Sequence, residues 1–213
     1  MFFLPEPATL IAYTVACAVL FLTPGPDMSL FLAKTLAGGR RAGMAAMLGA
    51  NLGCLVHTLL AAIGLSALLA ASATAFMAVK IAGAVYLLWL AVDAIRSGSA
   101  LNVNTGASGG EPFTRTLLLG AGVNLTNPKV VLFFVTFLPQ FGRAGDPDAS
   151  AKLVFLGLYY VLFSLPFAIL MILGAERLIA FLRGRRRVLR AIDWTFAGVF
   201  GFFAVHILAT QSR

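Results

Sequence analysis

Apolar residues in this chain come in long runs separated by short polar punctuation, without the alternation of a half-buried strand. The runs cover roughly residues 9–37, 43–69, 75–95, 114–141, 151–174 and 191–209. A helix needs about 20 apolar residues to cross a bilayer, so the pattern predicts an all-α membrane protein with six transmembrane helices. The first and fourth runs exceed one span, and each is interrupted near its centre. One interruption reads Thr23-Pro24-Gly25-Pro26-Asp27 and the other Asn124-Leu125-Thr126-Asn127-Pro128-Lys129. Proline removes a backbone donor and clashes with the preceding turn, so helix breaks are expected at Pro24, Gly25 and Pro26 and again at Pro128.

A shift of 102 places Pro26 on Pro128 and Asp27 on Lys129. Prolines and charges therefore recur at one depth in the first span of each half. With three spans per half, the halves run through the membrane in opposite senses, and inverted halves with corresponding broken helices point to a transport site near the midplane. The expected organisation is one membrane domain. It comprises a first three-span repeat at 1–96, a flexible linker at 97–113 rich in Gly, Ser and Asn, and a second repeat at 114–213. Ser164-Leu165-Pro166 is expected to kink the fifth span.

Composition narrows the class further. Of 213 residues, 60% are hydrophobic and 11% charged, and the mean hydropathy of +0.94 is far above that of a soluble domain. The lipid bilayer is thus the first partner. The net charge of +8 is concentrated in Arg183, Arg185, Arg186, Arg187 and Arg190 between two apolar runs. That placement reads as a cytoplasmic anchor and not a nucleic-acid surface. Eleven Lys and Arg flank the odd-numbered loops and four the opposite side, which puts the linker in the cytoplasm and both termini outside. Cys17 and Cys54 lie inside apolar runs and read as small core residues. No metal-ligand spacing, phosphate loop or nucleophile triad is present in the sequence, so neither an enzyme nor a cofactor is expected.

The chemistry is carried by the two interruptions. An aspartate inside a span costs about 2.5–3.5 kcal/mol on insertion scales, so Asp27 needs a partner, a proton or water. A half-helix start exposes N–H groups and favours an anion. Asp27 then suits an ammonium group or a proton, whereas Lys129 and the freed amides suit a carboxylate. Thr23, Asn124, Thr126 and Asn127 could add neutral hydrogen bonds. A ligand with both charges, such as an amino acid, fits this set, with protons as the coupling ion. A direct Asp27–Lys129 pair acting as a latch is the competing arrangement.

His57 could carry a proton or serve as a packing residue, and the same holds for His206. Lys80 can extend its stem toward the interface, and Asp93 can pair with Arg96. Ala45, Gly49 and Gly53 form a small-residue face that could serve either intrachain packing or a homodimer. Export of another small solute, such as a metal cation or a toxic metabolite, and a non-transporting membrane scaffold are the alternatives from other classes.

These residues resemble the LysE family of amino-acid exporters, in particular its RhtB, homoserine/threonine resistance, branch. The similarity is densest in Leu22–Asp27, in Gly38-Gly39-Arg40, and in Asn127-Pro128-Lys129 through Phe137-Leu138-Pro139-Gln140-Phe141. The resemblance implies a secondary carrier of the bacterial inner membrane that exports amino acids, driven by the proton motive force. Two departures stand out: Leu90-Ala91 where a leucine followed by glycine is expected, and a polar Asn51 on the second span.

Overall fold

The computed structural model describes residues 5–97, 111–138, 148–182 and 185–210. Most of the expected linker (98–110), the Pro139-Gln140-Phe141 motif and the side chains of Lys80 and His206 lie outside the described set. Within it, all regular structure is helical. The helices are α1 (Pro7–Leu22), α2 (Pro26–Ala71), α3 (Ala73–Ser97), α4 (Phe113–Thr126), α5 (Pro128–Leu132), α6 (Ala149–Leu173), α7 (Ala175–Leu182) and α8 (Arg186–Thr210). A π-helical turn, Phe133–Phe137, continues α5.

Both expected interruptions are helix ends. Thr23 (φ −71°, ψ 120°) closes α1 and Asn127 (φ −71°, ψ 109°) closes α4. Each precedes a proline, whose ring disfavours the helical conformation in its neighbour. Helix resumes at Pro26 and Pro128, where the missing N–H is harmless. Across the second interruption the chain bends by 55°.

α2 is a bent element. Gly39 has φ +75°, a backbone conformation that side chains disfavour, and it separates an arm at 26–38 from an arm at 40–71. Between α2 and α3 stands only Ser72, whose Oγ accepts the amide of Ala75 at 3.1 Å as an N-cap for α3. α6 runs through Pro166 without ending.

Among the described residues, four helices are long and apolar enough to cross a membrane, or five if the bent pair α4–α5 is one span. Six such spans are expected from the sequence. The difference lies at α1, whose 16 residues extend only about 24 Å at 1.5 Å each, less than the roughly 30 Å of hydrocarbon. Large apolar side chains cover the outside, among them Ile11, Leu60, Ile63, Leu118 and Leu162. Helices apolar on every face belong in lipid, and the chain is a multi-pass membrane protein.

Two apolar clusters form the interior. The larger joins α1, the π-helical turn, α6 and α8 through Tyr13, Phe133, Phe134, Phe137, Tyr160 and Phe200. Tyr13 anchors it by donating to the Leu156 carbonyl at 2.9 Å. The smaller gathers Phe31, Met47 and Ala50 of α2 with Ala168 and Met171 of α6.

The small-residue face of α2 lies against α4. A Cβ at Gly49 would overlap the Leu117 carbonyl, and one at Gly120 would overlap the Ala46 carbonyl, so the two backbones touch. That face is spent within the chain and is not free for a homodimer. The outer ends of these elements are joined as well. Lys34 Nζ lies 2.6 Å from Glu111 Oε2, and the Arg41 guanidinium sits 6.0 Å from the Phe113 ring centre. Lys34 holds the Glu111 carboxyl below the usual carboxylate range, chiefly by this hydrogen bond.

Candidate functional site

The two interruptions meet, and each supplies what the other lacks. Asn124, in the last turn of α4, donates from Nδ2 to Asp27 Oδ2 at 2.8 Å. Lys129, at the start of α5, donates from Nζ to the carbonyls of Leu20 (2.9 Å) and Thr23 (2.5 Å). Those carbonyls belong to the C-terminal end of α1, where the helix dipole favours a cation. Gly25 leaves the ammonium room, since a Cβ there would stand 3.2 Å from Nζ.

Asp27 and Lys129 thus face the same region without forming an ion pair. The one salt bridge among the described residues is Lys34–Glu111. The latch arrangement is not formed in this conformation, because the ammonium is occupied by backbone oxygens and the carboxylate by an amide.

The two half-helix starts differ. At the second, Asn127 takes up the amides itself: its Oδ1 accepts from the Lys129 amide at 3.1 Å, and its carbonyl accepts from Val130 (3.0 Å) and Val131 (2.9 Å). Pro128 has no amide to offer. The freed donors expected there are therefore consumed by a local cap. At the first start, Ser29 bonds back to the Gly25 carbonyl at 2.9 Å. The amides of Asp27 and Met28 have no such partner among the described residues.

A cavity of about 40 Å³, room for a few waters, lies between the interruptions. Its polar lining includes Asp27, Asn51, Cys54, Asn124, Lys129 and Ser164. Its apolar lining includes Met28, Phe31, Met47, Ala168 and Met171, four of which belong to the smaller core cluster. Three buried polar atoms close by take no partner among the described residues: Asp27 Oδ1, Asn127 Nδ2 and His57 Nε2. Such atoms are costly to leave unmade, by about 1–3 kcal/mol each.

The remaining candidates are placed less centrally. Thr23 is buried, but its hydroxyl donates to the Val19 carbonyl of its own helix at 2.7 Å, so it contributes its carbonyl instead. Thr126 is exposed, bonds to Gly122 and Val123 of its own helix, and does not line the cavity. The ring of His57 is buried against Phe134, with centroids 5.6 Å apart, outside the cavity lining.

Sequence reasoning missed Cys54 and the α6 wall. Tyr160, Ser164, Ala168 and Met171 recur at spacings of four, four and three, and all line the cavity. That helical stripe is the signal that could have found them.

Comparison with known proteins adds an independent line. The model of the LysE type translocator family matches residues 18–211. A homoserine/homoserine lactone efflux protein of Salmonella typhimurium is 30% identical over 192 residues, covering 89% of this chain and 90% of that protein. A leucine efflux protein of Klebsiella pneumoniae is 26% identical over 202 residues, covering 95% of each. An uncharacterized membrane protein of Pseudomonas aeruginosa is 30% identical over 203 residues, covering 92% of each. No solved structure matches.

Proposed function

The chain belongs to the LysE type translocator family, and on that premise we propose that it exports amino acids from the cytoplasm, coupled to the proton gradient across a bacterial inner membrane. The observation that carries this reading is Asp27. It lines the cavity, is fixed by Asn124 through one oxygen, and keeps the other buried without a donor. An ammonium group or a proton at Oδ1 would complete it.

Lys129 and the amides of Asp27 and Met28 would receive the carboxylate. Lys129 would then exchange backbone carbonyls for substrate, which couples binding to the end of α1. Asn124 lines the polar end, with Asn127 behind it as the cap of the second half-helix, and the substrate side chain would lie on Phe31, Met47 and Met171. A neutral amino acid suits that wall, as the efflux relatives named for homoserine and leucine also suggest. The cavity must widen to admit it, and the two interruptions are where the backbone can give.

In this proposal α1 with the arm 26–38 forms one broken span and α4 with α5 another. That restores six spans in two inverted repeats around the cavity. The approach of Lys34 to Glu111 supports a common side for the first loop and the linker, and the arginine bias assigns that side to the cytoplasm. The test is efflux of labelled neutral amino acids from proteoliposomes under an imposed pH gradient. Flux that follows the gradient is expected, and a protein that moves none of them under any gradient would overturn the proposal.

A further inference from the structure

Asn124 can hold the carboxylate of Asp27 in only one of its two amide orientations, since the nitrogen must face the acid. The carboxylate favours that orientation, and a second contact on the oxygen side decides how firmly it is held. Two observations on the arm 40–71 supply that decision. Gly53 leaves the space in which the Asn124 side chain lies: a Cβ there would come within 2.5 Å of Asn124 Oδ1 and 2.9 Å of its Cβ. One residue on, the Cys54 thiol, buried to 3% exposure, donates from Sγ to Asn124 Oδ1 at 3.6 Å.

We propose that Cys54 is a positioning residue of the transport site, whose thiol hydrogen bond to Asn124 Oδ1 turns Asn124 Nδ2 toward Asp27. A relay results, Cys54 Sγ–H to Asn124 Oδ1 and Asn124 Nδ2–H to Asp27 Oδ2, that crosses from α2 to α4 and back to the start of α2. The thiol is a weak donor, but a weak donor suffices, because its task is to hold one orientation of a group already kept in place by packing. With no donor at position 54, nothing holds Oδ1 in place, and rotation about the Asn124 Cβ–Cγ bond carries Nδ2 out of line with the carboxylate. Asp27 would then lose the contact that aims its free oxygen.

The transport consequence rests on the proposed role of Asp27, whereas the hydrogen bond can be tested without it. In a Cys17→Ala background the single remaining thiol gives one S–H stretching band in the infrared spectrum of the purified protein. The band is expected at the lowered frequency of a hydrogen-bonded thiol and should move upward in the added Asn124→Leu variant. A band that stays where it is would overturn the contact, whatever the protein transports. In proteoliposomes, Cys54→Ala and Cys54→Ser remove nearly the same volume and differ in the donor. The alanine variant is expected to raise KM for labelled leucine about three- to ten-fold, and the serine variant to recover most of that loss at equal protein content and melting temperature. Equal behaviour of the two variants would overturn the positioning role.

Discussion

Asn124 and Asp27 stand 97 residues apart in sequence and 2.8 Å apart in space, one ending the half-helix before the second interruption and the other beginning the half-helix after the first. Asp27 is the acid of the cavity, and Asn124 donates to it directly. Replacing Asn124 by leucine should therefore leave the acid without support and destabilise the protein by about 1–3 kcal/mol. Thermal melting of purified protein measures this. The exchange Asp27→Asn with Asn124→Asp keeps an amide–carboxyl contact while moving the charge. It should regain most of the stability but not the transport.

Lys129 has two functions that separate on substitution. Its ammonium satisfies two buried carbonyls at the end of α1, so Lys129→Gln should lower the melting temperature even without substrate. Each unsatisfied carbonyl contributes about 1–3 kcal/mol of loss, reduced by whatever the glutamine amide can reach. An unchanged melting temperature would show that the α1 end does not depend on this residue.

Packing of α2 on α4 sets the distance across the site. Gly49→Ala and Gly120→Ala each place a methyl group into a backbone carbonyl of the facing helix and should destabilise by about 1–3 kcal/mol, as overpacking does. Gly122 has nothing within 4 Å of a would-be Cβ. Gly122→Ala is expected to be neutral or to stabilise by up to about 1 kcal/mol through helix propensity. Denaturation of the three variants side by side checks the contrast.

The ion pair between Lys34 and Glu111 predicts a pH dependence with a definite sign. Glu111 ionises below its ordinary value near 4.5, mainly through the Lys34 hydrogen bond. A carboxyl depressed in the folded state adds stability that is fully present above the unfolded value and is lost as pH falls through the folded one. The melting-temperature difference between the parent and Glu111→Gln should thus be present at neutral pH and vanish in strong acid. The double exchange Lys34→Glu with Glu111→Lys should restore the neutral-pH value.

The interruptions themselves were legible because proline acts locally: Thr23 and Asn127 are extended for the reason that proline follows each. The meeting of Asp27 and Lys129 in one region was legible from the repeat. Their hydrogen-bond partners were not, since Leu20, Thr23 and Asn124 become partners only through the packing of elements distant in sequence. The amides at Pro128 illustrate the difference, because general helix-end reasoning left them free and the side chain of Asn127 takes the first of them. The spacing of Ala45, Gly49 and Gly53 marks a face, and only the packing of α4, with Gly120 against Ala46, shows what covers it. Run length leads to six spans, whereas the expected break after Thr23 leaves α1 with only 16 residues, too few to cross alone.

The central claim is that Asp27 binds the amino group or the proton that moves. Its most direct measurement is efflux of labelled leucine and homoserine from proteoliposomes carrying Asp27→Asn beside the parent. The substitution keeps the size and a contact to Asn124 but removes the charge, so efflux should fall to the level of protein-free vesicles while the protein stays folded. Efflux equal to the parent, with the same response to the pH gradient, would contradict the account.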